Sequence, residues 1–420
     1  MTGAAEGTGG ERGRGAGTGG LAAIFAAGLA VRLAVVVASP GFLPTPDGLE
    51  YQRIAENLIA GAGFSSAAPG DSLWHPRSWR TPGYPLFIAA HYAIAGRRAP
   101  RAVHVSQAVI DAATALLVVW LGRRVVGRRA ATVAGWLYAL HPLPSLQVAT
   151  LGTEALAAFL LNLFVLLAYR TLERPGLVRG GLAGAALGAD LLVRPTPQLF
   201  LPVVVILVLV PRWSGVVARA PRARRAAAAV ALVLGTVAVI APWAARNQRV
   251  HGHLVPLSTL GGVVLNEAVG AVRIGDWWSM PGLHSIAPED WRRWRELGEI
   301  EGEKYMRARA LSIIRQRPGT YVLSAGAKLV RFWLQVSAGY GRLSWRSWAT
   351  AALQGATLAL VAIAFVRHRG PWVAAGRLLW LLVLYHSALY SLTVAEVRYG
   401  YVLLPAVLIP AALALVRLRA

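Results

Sequence analysis

The chain contains no cysteine and little negative charge. Its 420 residues include 19 Asp and Glu against 43 Lys and Arg. Without cysteine there is no disulfide, no thiolate nucleophile and no cysteine-based metal site, and the redox compartment leaves no trace. Charged residues make up only 15% of the chain, where a soluble domain carries about a quarter. Histidine is sparse and scattered. His251-Gly252-His253 is one close pair, but nothing near it has ligand spacing, so no metal and no cofactor are expected. The Gly-rich start has no phosphate-loop pattern.

What the chain does have is apolar length. It is 56% hydrophobic, with a mean hydropathy of +0.50. Apolar runs cover Leu21–Ala38, Val103–Leu121, Ala130–Leu146, Thr153–Tyr169, Leu177–Val193, Gln198–Val210, Ala226–Ala244, Thr350–Val366, Ala375–Leu392 and Tyr399–Val416. A helix needs roughly 20 residues to cross a bilayer, so this pattern predicts an all-α polytopic membrane protein of about ten spans. Leu21–Ala38 is not read as a signal peptide, because it holds Arg32 and leads into Pro40-Gly41-Phe42-Leu43-Pro44 rather than a small-residue cleavage site.

The net charge of +24 raises the question of nucleic acid. The arginines fall mostly between apolar runs, so anionic membrane lipids and membrane orientation explain them instead, and no nucleic acid partner is expected. Arg123, Arg124, Arg128 and Arg129 mark one basic loop. Arg170, Arg174 and Arg179 mark a second, Arg212, Arg219, Arg222, Arg224 and Arg225 a third, and Arg367, Arg369 and Arg377 a fourth. If these face the cytoplasm, both termini are cytoplasmic and the opposite loops are exoplasmic. Residues 1–20 are expected to be a disordered cytoplasmic tail. Residues 21–420 then form a single transmembrane domain with a first exoplasmic loop at 39–102 and a long one at 246–349. Pro85–Ala95 and Leu323–Val336 are too short to cross and suit interfacial helices. Glu289–Arg317 suits a charged, water-facing helix.

Several outward residues could carry chemistry. Asp47 either caps a helix beginning there or takes a proton from an acceptor hydroxyl as general base. Glu154 opens an apolar helix, where an acid is favoured by the helix N-terminus or serves a site. Arg80, Arg194 and Arg398 either snorkel singly or converge on a phosphate, whose oxygens match the guanidinium fork. Trp74, Trp79, Trp277, Trp278, Trp291 and Trp294 suit interfacial anchors, with sugar stacking as the other reading. Asp111 and Asp190 fall within spans and leave open a polytopic transporter or lipid flippase. A non-catalytic scaffold would need no convergence at all.

Asp47-Gly48-Leu49-Glu50-Tyr51 resembles the first-loop signature of membrane glycosyltransferases of the GT-C class. Ala55-Glu56-Asn57-Leu58, Gly61-Ala62-Gly63-Phe64 and Arg80-Thr81-Pro82-Gly83-Tyr84-Pro85 are similar to the family 39 branch, the protein-mannosyltransferase-like and aminoarabinose-transferase-like proteins. Thr153-Glu154, Arg194-Pro195-Thr196, Pro256–Gly262 and Arg398-Tyr399 follow in the same order. The long loop departs from the family pattern, reading Asn266-Glu267-Ala268-Val269-Gly270 where a second Asn with Gly and Pro nearby is usual.

The resemblance implies a GT-C-like bundle and a hexosyl or pentosyl transferase at the cell membrane, with no appended acceptor-recognition module. It implies a polyprenyl-phosphate sugar donor, and an acceptor that is protein, glycan or lipid. The sugar would move with inversion on the exoplasmic face. Asp47 is then the expected base and Glu154 the second acid. Arg80 is the expected first phosphate ligand, with Arg194, Arg398, Tyr399, Tyr51, Tyr84 and Glu50 as substrate-binding residues.

Overall fold

The computed structural model describes residues 18–39, 45–68, 75–215, 220–276, 285–335 and 345–418. The expectations for the N-terminal tail through residue 17, for Pro40–Pro44, and for Trp74, Arg219, Trp277 and Trp278 lie outside these residues.

Among the described residues the regular elements are helical. The bundle opens with α1 (Thr18–Ala38), α2 (Pro46–Ile59), α3 (Gly83–Ala95), α4 (Pro100–Val125), α5 (Arg128–Ala139) and α6 (Pro142–Gln147). It continues with α7 (Glu154–Glu173), α8 (Leu177–Val193), α9 (Phe200–Leu209) and α10 (Arg222–His251). A long connection carries α11 (Gly261–Ala268), α12 (Gly270–Ile274), α13 (Pro288–Gln316) and α14 (Pro318–Leu334). The chain closes with α15 (Trp345–Arg367), α16 (Pro371–Ala375), α17 (Arg377–Leu392) and α18 (Leu404–Leu418). Short 3-10 turns at Thr196–Leu199 and Val397–Leu403 precede α9 and α18.

Among the described residues, six helical stretches are long and apolar enough to cross a membrane, and Thr196–Leu209 and Arg377–Leu392 are shorter apolar stretches. Each apolar run read from the sequence falls on a helix. Several boundaries shift, and two of the shifts have a clear form. The run Ala130–Leu146 breaks into α5 and α6, because His141 caps a new helix through Leu143 N at 3.3 Å and Pro142 takes its first position. α10 continues to His251, past Ala244 and through Pro242.

Packing within the bundle depends on small residues. Gly180, Gly184 and Gly188 form a one-turn ladder on α8 facing α10. A Cβ at Gly184 would lie 2.0 Å from the Leu232 carbonyl oxygen. The two backbones therefore approach as closely as they do because the side chains are missing.

One buried charge pair joins α1, α4 and α5. Arg32 (0% exposed) donates from Nε to Asp111 Oδ2 at 2.5 Å. It also donates from Nη1 to the carbonyl of Ala139 at 2.7 Å. Tyr138 donates its hydroxyl to Asp111 Oδ1 at 2.7 Å. Both carboxylate oxygens are thus occupied, as a charge in an apolar interior requires.

The basic loops gather at one end. Arg124 pairs with Glu173 at 2.9 Å, and Arg377 donates to the carbonyls of Arg212 at 3.2 Å and Trp213 at 3.1 Å. The opposite end carries the first loop, the turn before α9, the long connection and the turn before α18, and these enclose a cleft.

Candidate active site

The floor of the cleft is built from the start of α2. Thr45, not Asp47, caps this helix: its Oγ1 accepts from Gly48 N at 3.0 Å, and Pro46 follows at the first helical position. The capping expectation for Asp47 is therefore corrected. With Thr45 satisfying the backbone, the Asp47 carboxylate is left to turn toward side chains.

It meets two arginines from distant parts of the chain. Arg80 donates to Asp47 Oδ1 at 2.6 Å, and Arg398 donates to Oδ2. Arg80 also grips Glu50 Oε2 from Nε at 2.9 Å and Nη2 at 2.7 Å. The Arg80 guanidinium lies 5.1 Å from the Tyr51 ring centre. Arg398 donates to Glu396 at 2.6 Å and stands 3.6 Å from Glu154 Oε1. Arg194 reaches Glu154 Oε1 at 3.3 Å and Thr153 Oγ1 at 3.4 Å, and its guanidinium covers the Tyr399 ring at 4.1 Å. The result is one alternating network of acids and arginines rather than separate snorkelling side chains.

The cavity above this network is about 440 Å³. Asp47, Tyr51, Arg80, Glu154, Arg194, Arg398 and Tyr399 all line it. Glu50 and Tyr84 do not. Glu50 acts on Arg80 from behind. Tyr84 is 0% exposed, donates its hydroxyl to Gln107 at 2.6 Å and meets the Tyr51 ring edge-on at 5.1 Å. It holds Tyr51 from below.

Burial alone raises the pKa of Asp47, but Arg80 and Arg398 outweigh it and hold the carboxyl down at about 2. Arg80 moves the other way: its neighbouring tyrosine and carboxylates outweigh burial and keep it firmly cationic. In this arrangement Asp47 is charged but weakly basic, because both its oxygens serve guanidiniums.

The far wall belongs to the long connection. Leu260, Val264 and Glu267 are spaced by four and three residues, so they share one face of α11 and its cap, and all line the cleft. Trp79 lines it too, packed edge-on against Trp294 at 5.2 Å. This wall is tied to the first loop through Glu299. Its carboxylate accepts from Arg77 N and Ser78 N at 2.7 Å each, and from Thr259 Oγ1 at 2.5 Å. Trp79 thus packs into the wall as one of its aromatics, and Trp291 and Trp294 pack with it. Glu267 and Glu396 were not singled out as site residues from the sequence. The one available signal was an acid on an otherwise apolar helical face.

Residues 75–244, two fifths of the chain, match the family model described as dolichyl-phosphate-mannose-protein mannosyltransferase. A structure of the archaeal oligosaccharyltransferase AglB from Archaeoglobus fulgidus, in complex with an inhibitory peptide and a dolichol-phosphate, aligns with 94% of this chain and 50% of its own. The TM-score is 0.54 and the identity 16%. The Archaeoglobus fulgidus oligosaccharyltransferase tethered to an acceptor peptide aligns at TM-score 0.58 and 16% identity, over 94% of this chain and 49% of its own. The fold is that of the GT-C class of membrane glycosyltransferases. The chain spans about half the length of those relatives. ArnT from Cupriavidus metallidurans bound to undecaprenyl phosphate overlays at TM-score 0.43 and 17% identity, over 96% of this chain and 79% of its own. No curated protein matches the chain by sequence.

Proposed function

We propose that this GT-C protein transfers a sugar from a polyprenyl-phosphate donor to an acceptor hydroxyl at the exoplasmic membrane surface, with inversion. The observation that carries the reading is Asp47 held between Arg80 and Arg398 in a cleft that Glu154 and Arg194 also line. The family match and the dolichol-phosphate in the AglB complex support a lipid-phosphate donor.

The mechanism follows from competition for the arginines. A donor phosphate entering the cleft offers Arg80 and Arg398 better-matched oxygens than a single carboxylate does. Each guanidinium drawn away removes a cause of the low Asp47 pKa, so donor binding raises that pKa toward the range of a useful base. Asp47 then takes the acceptor's proton as the acceptor oxygen bonds to the anomeric carbon. The bond from that carbon to the phosphate oxygen breaks, and its electron pair stays on the phosphate. The arginines stabilise charge that grows during this step, which favours the transition state over the bound donor. Glu154 keeps Arg194 and Arg398 in place and presents a second carboxylate to the acceptor.

The transporter reading loses support from Asp111, whose carboxylate is fully used by Arg32 and Tyr138. The deciding experiment incubates purified protein with labelled polyprenyl-phosphate sugars and an alkyl glycoside acceptor. Transfer by the wild type and a loss of about 10²–10⁴ in Asp47→Asn is expected. Near-normal turnover in a folded Asp47→Asn protein rejects Asp47 as the base.

A further inference from the structure

We propose that Glu267 is the residue that holds the acceptor, receiving a hydrogen bond from an uncharged, hydroxyl-bearing group. The proposal rests on the transferase reading above and deepens it.

The cleft's carboxylates divide into two kinds. Asp47, Glu154 and Glu303 are each within salt-bridge distance of an arginine. Glu267 lines the same cavity with no hydrogen bond or ion pair among the described residues. Its backbone is nonetheless fixed. The next residue, Ala268, gives its carbonyl to the Lys328 ammonium at 2.9 Å, and the same ammonium holds Thr393 O at 2.9 Å. The preceding residue, Asn266, is fully buried, accepts a hydrogen bond from Arg273 and reaches Met306 O at 3.4 Å. A helix pinned on both sides of an unpaired, half-buried acid is a rigid mount for a group whose partner arrives from outside. An isolated acid of this kind is costly unless it finds a hydrogen-bonding partner.

The charges around Glu267 define that partner. Asp47 faces it from α2, Arg80 from the first loop, Glu396 and Arg398 from the turn before α18, and Lys328 from α14. Glu303 and Arg307 line the cleft from α13 and pair with each other, while Arg273 of α12 serves Asn266. With a donor phosphate on the arginines, negative charge is in excess and an anionic acceptor is repelled. Burial, with Glu396 and Asp47 adding to it, raises the Glu267 carboxyl to about 7. It therefore changes from donor to acceptor of hydrogen bonds near neutrality.

The test uses purified full-length protein, polyprenyl-phosphate mannose, glucose and arabinose as donors, and octyl glucoside or octyl glucuronide as acceptors. Glu267→Gln is expected to raise KM for octyl glucoside about tenfold, the value of a hydrogen bond to a charged group. It is expected to bind undecaprenyl phosphate as the wild type does. The wild-type kcat/KM for acceptor should rise through about pH 7 and that step should vanish in Glu267→Gln. Glu267→Asp should restore the step, and octyl glucuronide should be the poorer acceptor. Turnover with an unchanged acceptor KM and pH profile in Glu267→Gln overturns the assignment alone. No transfer from any donor by the wild type overturns the transferase reading beneath it. If Glu267→Gln fails to bind undecaprenyl phosphate, Glu267→Ala takes its place, with the same raised acceptor KM and the same lost pH step expected, and an unchanged KM and pH profile there overturns the assignment.

Discussion

Asp47 shows how little freedom a carboxylate keeps between two arginines. Both oxygens are bound, and the group is depressed from 3.8 to about 2 by arginines that overcome its burial. A lowered acid stabilises the fold above its unfolded value, so this contribution is complete above about pH 4 and is lost as pH falls through about 2. Glu267 has the opposite sign. Its raised value favours the protonated form in the fold, so its contribution declines as pH rises from 4.5 through about 7. Thermal unfolding measured across that window should show a smaller pH-dependent fall in Glu267→Gln. Arg80→Lys should keep a positive charge but lose the fork that spans Asp47 and Glu50. A loss of about 10²–10³ in turnover is expected, read by the same transfer assay. At this scale Asp47, Arg80, Glu154, Arg194 and Arg398 were legible because each is a charge beside an apolar run. Glu267 was not, because its role depends on what it lacks, and a missing arginine partner is visible only in three dimensions. Of the two alternatives open for Asp47, the cap falls away because Thr45 takes the helix start.

Among the helices, apolar length was a sufficient guide to position. Each predicted run became a helix because an unsatisfied backbone is prohibitive in hydrocarbon. Proline and capping chemistry decided the boundaries, as at His141-Pro142, where one run became two helices. Pairing between helices was illegible: nothing local joins Arg32 to Asp111. Removing one member of this pair leaves a bare buried charge, so Arg32→Met should cost about 3–5 kcal/mol of stability. Arg32→Met combined with Asp111→Leu should recover most of it, measured by thermal unfolding in detergent. The α8 ladder makes a second forecast. Gly184→Val must displace the Leu232 backbone, so it should lower the unfolding temperature by several degrees while Gly181→Ala, near nothing but Ala231 O at 4.0 Å, should not.

For the molecule as a whole, the absence of cysteine turns orientation into a direct measurement. Ala62→Cys, in the exposed first loop, should react with a membrane-impermeant maleimide on intact cells. Arg128→Cys should react only after permeabilisation. The reverse pattern overturns the exoplasmic placement of the cleft. The parity of the basic loops was readable in advance because charge asymmetry is a property of segments. The cleft's shape was not, since it is made where five separated segments meet.

Glu299 binds two backbone amides of the first loop and a hydroxyl of the long one, so these two loops are bolted together beside the Trp79–Trp294 contact. An entrant too bulky for the gap would have to shear those bonds in concert. Loosening that bolt with Glu299→Ala should broaden the range of admitted molecules while slowing the passage of those that already fit.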